Sequence, residues 1–468
     1  MSASSTSFVA STRCVYRGTM VHSVKLGNLQ ILLDAAIVVE EDGSISAVYD
    51  MNDDGAEDTV ADLMSSGVEV ADFRGKLIMP GFVDAHTHAP QYSFTGTGMD
   101  LPLLKWLEMH TFPVEARFRD PAFARKVYEK AVRRHLKYGS TTCSYFATIH
   151  LEATKVLVDV IRGLGQRAHV GKVSMDRNAP DYILESTEDA KRDAEAFVKF
   201  VSDELDDSLI TPVVTPRFVP SCSAELMGFL GEISRKYDVP VQSHLSESPG
   251  ELAWVSQLHP EVDSYAGVYE KYGLLNERSY FAHCVYCTRE ERSMLFDTKA
   301  SVVHCPSSNF MLCSGVANVR RYLTEGVKVG LGTDVAGGYS CSMLDCMRQA
   351  MVAANVCCLQ PDEDGTMWNA LSFQEVFHLA TMGGAEVLGL DGVIGNFGLG
   401  KQFDALVVNP SPGCGGSEVE LEGSGQGEGP FDLFPELGEG MQAAFEKFLF
   451  LGDDRNIEQV FVAGNRVL

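Results

Sequence analysis

The stretch Ile78-Met-Pro-Gly-Phe-Val-Asp-Ala-His-Thr-His88 is an apolar run that ends in two histidines one residue apart. In an extended chain side chains alternate, so His86 and His88 project from one side of a strand. Three later apolar runs end in the same manner: Val239-Pro-Val-Gln-Ser-His244, Tyr280-Phe-Ala-His283 and Val327-Lys-Val-Gly-Leu-Gly-Thr-Asp334. Counting outward from these gives eight strand candidates, at 78–86, 141–146, 167–174, 212–218, 239–244, 280–283, 301–304 and 327–334. Helical periodicity separates or follows them, clearest at 121–138, 187–205, 224–237, 344–359 and 373–388. Strand and helix in alternation make a parallel sheet, and eight strands suit a (β/α)8 barrel of TIM type.

In such a barrel all strand C-termini share one face, so residues distant in sequence converge there. His86, His88, His244, His283 and Asp334 would then form a nitrogen-rich site with one hard oxygen donor, suited to Zn²⁺ or another divalent first-row ion. One ion per chain is expected. Glu247, three residues past His244, is placed to move protons at the same mouth. His304 also ends a strand, where a fifth imidazole would crowd the metal, so it is expected behind the ligands. His110, His135, His150, His169, His259 and His378 are taken as ordinary structural histidines. His259-Pro-Glu261 followed by Cys284-Val-Tyr-Cys287 imitates the zinc site of cytidine deaminases, but His283 stands where that pattern has proline.

The flanks of the barrel read differently. Short β-rich runs and turns fill the chain to about Arg74, and similar stretches return at 392–401, 403–409 and 459–468. The expectation is one small β-sandwich domain built from both ends: 1–75 and 391–468 around a barrel at 76–390. Within it 411–430 is a Gly/Ser/Glu tract with little to bury, expected as a flexible surface insertion.

The chain of 468 residues is 45% hydrophobic and 22% charged, which fits a soluble globular protein and excludes a disulfide scaffold, a fibre or a disordered tail. Its 38 basic against 64 acidic residues leave a formal charge of −26, unfavourable for nucleic acid or an anionic membrane surface and compatible with a small neutral substrate. Twelve cysteines are scattered singly or lie in apolar runs, as expected of reduced thiols in the cytoplasm. No run is long and apolar enough to span a membrane. Residues 1–30 are rich in serine with Arg13, Arg17 and Lys25, a transit-peptide trait, but Phe8-Val-Ala10 and Cys14-Val-Tyr16 already have strand character.

The metal-type runs, together with Gly395-Asn-Phe-Gly-Leu-Gly-Lys-Gln-Phe-Asp404, resemble the amidohydrolase superfamily in its mononuclear-zinc deaminase branch. The likeness runs from about Val15 to the end. The superfamily motifs leave the substrate open. Longer blocks narrow it: Gln91-Tyr-Ser-Phe94, Asp100-Leu-Pro-Leu-Leu-Lys-Trp106, Tyr145-Phe-Ala-Thr-Ile-His150 and Thr215-Pro-Arg-Phe218. The resemblance implies zinc-dependent hydrolysis of guanine to xanthine and ammonia, in purine breakdown or salvage, by a homodimer. It also implies that Glu247 and Asp334 carry the protons, and that Gln91, Arg217 and Phe218 bind the purine beside His88, His244, Glu247 and Asp334. The chemistry agrees: an arginine fork can donate to a carbonyl, glutamine can donate and accept along a base edge, and phenylalanine offers an aromatic face. Two other readings remain open at this point. One is a related hydrolase acting on cytosine, an adenine derivative or a triazine; the other is an inactive barrel serving as a scaffold. Retention of every expected ligand and of Glu247 weighs against the scaffold.

Overall fold

The computed structural model describes residues 12–362, 364–411 and 429–468. The strand reading at 8–10 lies outside these residues, as does nearly all of the 411–430 tract. Four strands open the chain: β1 (Cys14–Lys25), β2 (Asn28–Val39), β3 (Ile45–Asp50) and β4 (Glu69–Pro80). Ten parallel segments follow: β5 (Phe82–His88), β6 (Ser140–Phe146), β7 (Arg167–Gly171), β8 (Val173–Ser174), β9 (Ile210–Pro212), β10 (Thr215–Pro216), β11 (Val241–Leu245), β12 (Ser279–His283), β13 (Ser301–His304) and β14 (Val329–Leu331). The chain closes with β15 (Ala405–Val408), β16 (Ile457–Val462) and β17 (Asn465–Arg466).

The parallel segments form the strips β5-β6-β7-β9, β8-β10 and β11-β12-β13-β14, an α/β arrangement of TIM-barrel type. Backbone contacts link the strips: Val214 bridges Val241 in parallel, and the Asp334 amide donates to the His86 carbonyl at 2.9 Å. The His88 amide in turn donates to Val335 at 3.0 Å. Helices lie between most successive parallel segments, though β8 follows β7 and β10 follows β9 directly. Pro121–Lys137 shows why they form: the Asp120 side chain caps the Ala122 amide, Pro121 sits in the first turn, and the last turn is basic. Its Ala124, Val127, Tyr128, Val132 and Leu136 make one apolar stripe that is buried in the main core.

Strands from both chain ends join in one seven-stranded mixed sheet ordered β17-β16-β15-β4-β1-β2-β3. A register shift between Gly18 and Thr19 bends β1 against β4. The sheet then closes on an aromatic core of its own, in which Tyr16 stacks on Phe403 at 4.6 Å and meets Phe461 edge-on at 5.2 Å. The other face, with Val15, Ala36 and Val38, is covered by helix Ala56–Ser65. The 392–401 stretch is turn, not strand, with Gly395 and Gly400 in the left-handed region.

The deciding run 78–88 is two strands rather than one. Ile78, Met79 and Pro80 pair with Val407, Leu406 and Ala405 of the small sheet, while Phe82 donates to Gly139 at 2.9 Å and starts the parallel set. Gly81 makes the switch, and a Cβ there would collide with the Thr141 side chain. A second tie is ionic. Arg167 on β7 pairs through two 3.1 Å hydrogen bonds with Asp404, whose Oδ1 also accepts the Ala463 amide at 2.8 Å. The two side chains are 6% and 2% exposed, so removing either leaves a buried charge alone. Asp404→Ala should destabilise the fold by about 3–5 kcal/mol in denaturant titration at equal metal content.

Candidate metal centre and active site

The C-termini of β5, β11 and β12, with the turn after β14, deliver the side chains that the sequence singles out. Coordinating atoms of His86, His244, His283 and Asp334 all lie within 4.8 Å of one another. His88 borders this group, with Nε2 3.2 Å from Asp334 Oδ1 and 3.3 Å from His244 Nε2. Two of these residues sit in strained backbone. His283 has φ of 73° and Asp334 of 47°, the left-handed region that few side chains other than glycine adopt at low cost.

The hydrogen bonds decide which way the rings face. His244 Nδ1 lies 2.6 Å from the Arg217 carbonyl, and His283 Nδ1 lies 2.8 Å from Asn309 Oδ1. Both partners can only accept, so each Nδ1 carries the proton and each Nε2 presents a lone pair. Burial, then the neighbouring imidazoles, push His244 well below its ordinary pKa. Burial holds His88 down to about 4. Burial works to raise Asp334, but hydrogen bonds from His86 and His88 hold it ionised, well below the usual carboxylate range. Neutral nitrogen donors around an ionised carboxylate fit a divalent first-row cation.

Beside the nitrogens stands Glu247, 4% exposed, its Oε1 accepting from Ser314 at 2.8 Å and its Oε2 3.5 Å from His283 Nε2. Burial and the Asp334 charge raise its pKa. Its backbone is tied in place by Glu251, which accepts the Glu247 amide at 2.9 Å and the Tyr265 hydroxyl at 2.6 Å.

Gln91, Arg217 and Phe218 are all buried. Gln91 lies on the short helix Ala89–Phe94, its Oε1 accepting the Ala336 amide at 3.1 Å. Arg217 follows β10 directly and passes 5.4 Å from the Phe112 ring centroid. Phe218 packs edge-on against Trp254 at 6.0 Å.

Sequence reasoning missed four residues. Glu115 is 1% exposed and receives Arg217 Nη1 at 2.7 Å and Gln91 Nε2 at 3.0 Å. Its signal was an acid inside the apolar segment Phe112-Pro-Val-Glu-Ala-Arg-Phe118, since a buried acid demands a partner. Asp84 lies on the same strand as His86 and accepts both the amide and the hydroxyl of Thr333, at 2.9 and 2.6 Å. Asn309 and Glu251 complete the set. His304 is buried with neither ring nitrogen paired and stands apart from the cation group. His135, taken as structural, forms a second buried group with Asp84 and Cys143. His169 meets the Tyr280 hydroxyl at 3.3 Å, and His378 meets Ser23 at 2.9 Å, both structural contacts. His259 closes helix Pro249–Leu258 beside Arg177, and among the described residues it shares no cation group with Cys284 or Cys287.

The model of the amidohydrolase family matches residues 77–467. The chain belongs to this family. A guanine deaminase of Dictyostelium discoideum is 42% identical over 460 residues, 97% of this chain and 98% of the relative. That of Homo sapiens is 42% identical over 461 residues, 97% and 96% respectively. A crystal structure of guanine deaminase from C. acetobutylicum, with guanine bound in its active site, superposes with a TM-score of 0.86 at 36% identity, covering 98% of this chain and all of the other. Within the amidohydrolases the chain stands with the guanine deaminases.

The Asn309 contact orients a ring without touching a cation. Asn309→Ala should therefore weaken divalent metal affinity by about 10–100-fold in chelator competition, with the fold intact by circular dichroism.

Proposed function

We propose that the protein hydrolyses guanine to xanthine and ammonia with one Zn²⁺ per chain, held by His86, His88, His244, His283 and Asp334. The observation that carries this reading is the full-length likeness to guanine deaminases, one of them with guanine in its active site. Zinc bound to this donor set would lower the pKa of water from about 15.7 towards about 7, which supplies hydroxide at neutral pH. Asp334 accepts the proton of the attacking water as an ionised carboxylate. Glu247, with a raised pKa, holds a proton and delivers it to the ring nitrogen beside C2 as the C–O bond forms. Asp334 returns its proton to the exocyclic amine and the C2 hydroxyl gives its proton to Glu247, so that the C–N bond breaks, ammonia leaves and the ring carbonyl of xanthine remains. Arg217 and Gln91 supply donors for O6 and the adjoining edge, and Phe218 an apolar wall. His88 and His244 border the same position.

The fold reading goes with this. The links at Val214–Val241 and at Asp334–His86 support a closed ring of eight strands, with the barrel at 76–390 and the small domain at 1–75 and 391–468. A homodimer in the cytoplasm, working in purine breakdown or salvage, is the assembly and setting we favour. The net charge of −26 supports a small-molecule substrate over nucleic acid or an anionic membrane. Among the described residues no helix is long and apolar enough to cross a membrane.

Ultraviolet monitoring of zinc-loaded protein with guanine, adenine, cytosine and ammeline in parallel tests the substrate; guanine should disappear fastest, and preference for another base overturns the assignment. Chelated protein should regain activity with about one equivalent of Zn²⁺ per chain by elemental analysis, and two bound ions would refute the single site. Glu247→Gln should retain its zinc while turnover falls by about 10²–10⁴-fold.

A further inference from the structure

Arg217 is 3% exposed and carries a permanent charge. A guanidinium buried without a counter-charge attracts any anion that fits. In this pocket the counter-charge is Glu115, whose oxygens receive Arg217 Nη1 and Nη2 at 2.7 and 3.2 Å and Gln91 Nε2 at 3.0 Å. One carboxylate thus holds both residues assigned to the purine, and it leaves Arg217 further N–H donors for a ligand.

We infer that Glu115 is a positioning and specificity-determining residue: by neutralising Arg217 it sets the pocket to receive a neutral lactam and to reject an anionic purine. The inference rests on the reading that guanine is the substrate. It bears directly on the product. Xanthine has a second ring carbonyl in place of the amine and loses a proton far more readily than guanine, so part of it is anionic at and above neutral pH. A bare guanidinium would hold that anion. A neutral Arg217–Glu115 pair offers hydrogen bonds to a carbonyl oxygen without net attraction for an anion. Glu115 thereby favours release of product over its retention.

The neighbouring titratable groups do not obscure this. Tyr128 and His150 lie in the field of Glu115, and burial keeps both neutral, the first raised well above the ordinary tyrosine range and the second lowered to about 4. The charges of Lys172 and Arg119 also act on His150, and Lys172 is itself paired with Glu185. His88 feels Arg217 and is also held neutral.

The test is calorimetric binding of xanthine to the zinc-loaded protein, from a pH below its ionisation to one above it. Wild type should bind more weakly as the anion accumulates. Glu115→Gln should bind more tightly, ending at least about tenfold tighter than wild type at the alkaline end, and Glu115→Asp should restore the wild-type slope. A merely structural role would lower stability and turnover without turning the slope. Parallel slopes in wild type and Glu115→Gln overturn the inference. Should Glu115→Gln not fold, wild type decides alone: tighter binding of the anion than of the neutral base refutes the proposal. Guanine turnover by wild type, measured beside it, reports on the substrate reading separately, since xanthine binding requires no catalysis.

Discussion

The cation group depends on a backbone link between β5 and the turn after β14, made by the Asp334 amide to the His86 carbonyl at 2.9 Å and by the His88 amide to the Val335 carbonyl at 3.0 Å. Without that link the carboxylate has no reason to stand among imidazoles drawn from three other strands. The turn that carries it is also gripped from below, because Asp84 takes both polar groups of Thr333. Local strain is the counterpart. Asp334 and His283 hold left-handed backbone that the surrounding hydrogen bonds must maintain, a pattern associated with functional positions.

The same crowding explains how carboxyl groups of one chemical kind come to behave differently. Burial lifts Asp84 to about 7 and also raises Glu247 and Glu251, whereas the imidazole contacts of Asp334 reverse that trend. Glu115 is met by a guanidinium instead. Separation of acidic strength among close neighbours is what permits one carboxyl to carry a proton while another stays ionised.

Strand-end histidines were legible because period-two alternation and parallel topology need no knowledge of side-chain contacts. The ends at His86, His244, His283 and Asp334 accordingly fall together. Glu115 shows in the sequence only as an acid inside the segment 112–118, and its significance comes from an arginine 102 positions away that the sequence does not place beside it. The change of sheet at Gly81 was hidden for a different reason: Ile78 to His88 is uniformly apolar up to Asp84, and both halves bury it, so periodicity cannot mark the break. The joining of strands from both chain ends into one continuous sheet depends on strand length. Strands of twelve residues such as β1 and β4 are long enough to bend and cover their own aromatic core. Likewise, the glycines of 392–401 favoured turns over the strand that its apolar residues suggested.

The position of β4 has a consequence for the order in which the molecule can be made. It lies inside the small sheet, with β1 on one side and β15 on the other. On a ribosome, the half-sheet of β1 to β4 emerges early, with the Leu77–Pro80 edge open until Ala405–Val408 has been synthesised. For that interval an apolar strand edge has no partner, which is the condition under which nascent chains recruit chaperones or pair with one another. The parallel strands and their helices are translated wholly within the same interval. The small sheet can therefore complete its hydrogen bonds only after the parallel strands have been made, although β1 to β4 precede them in the chain.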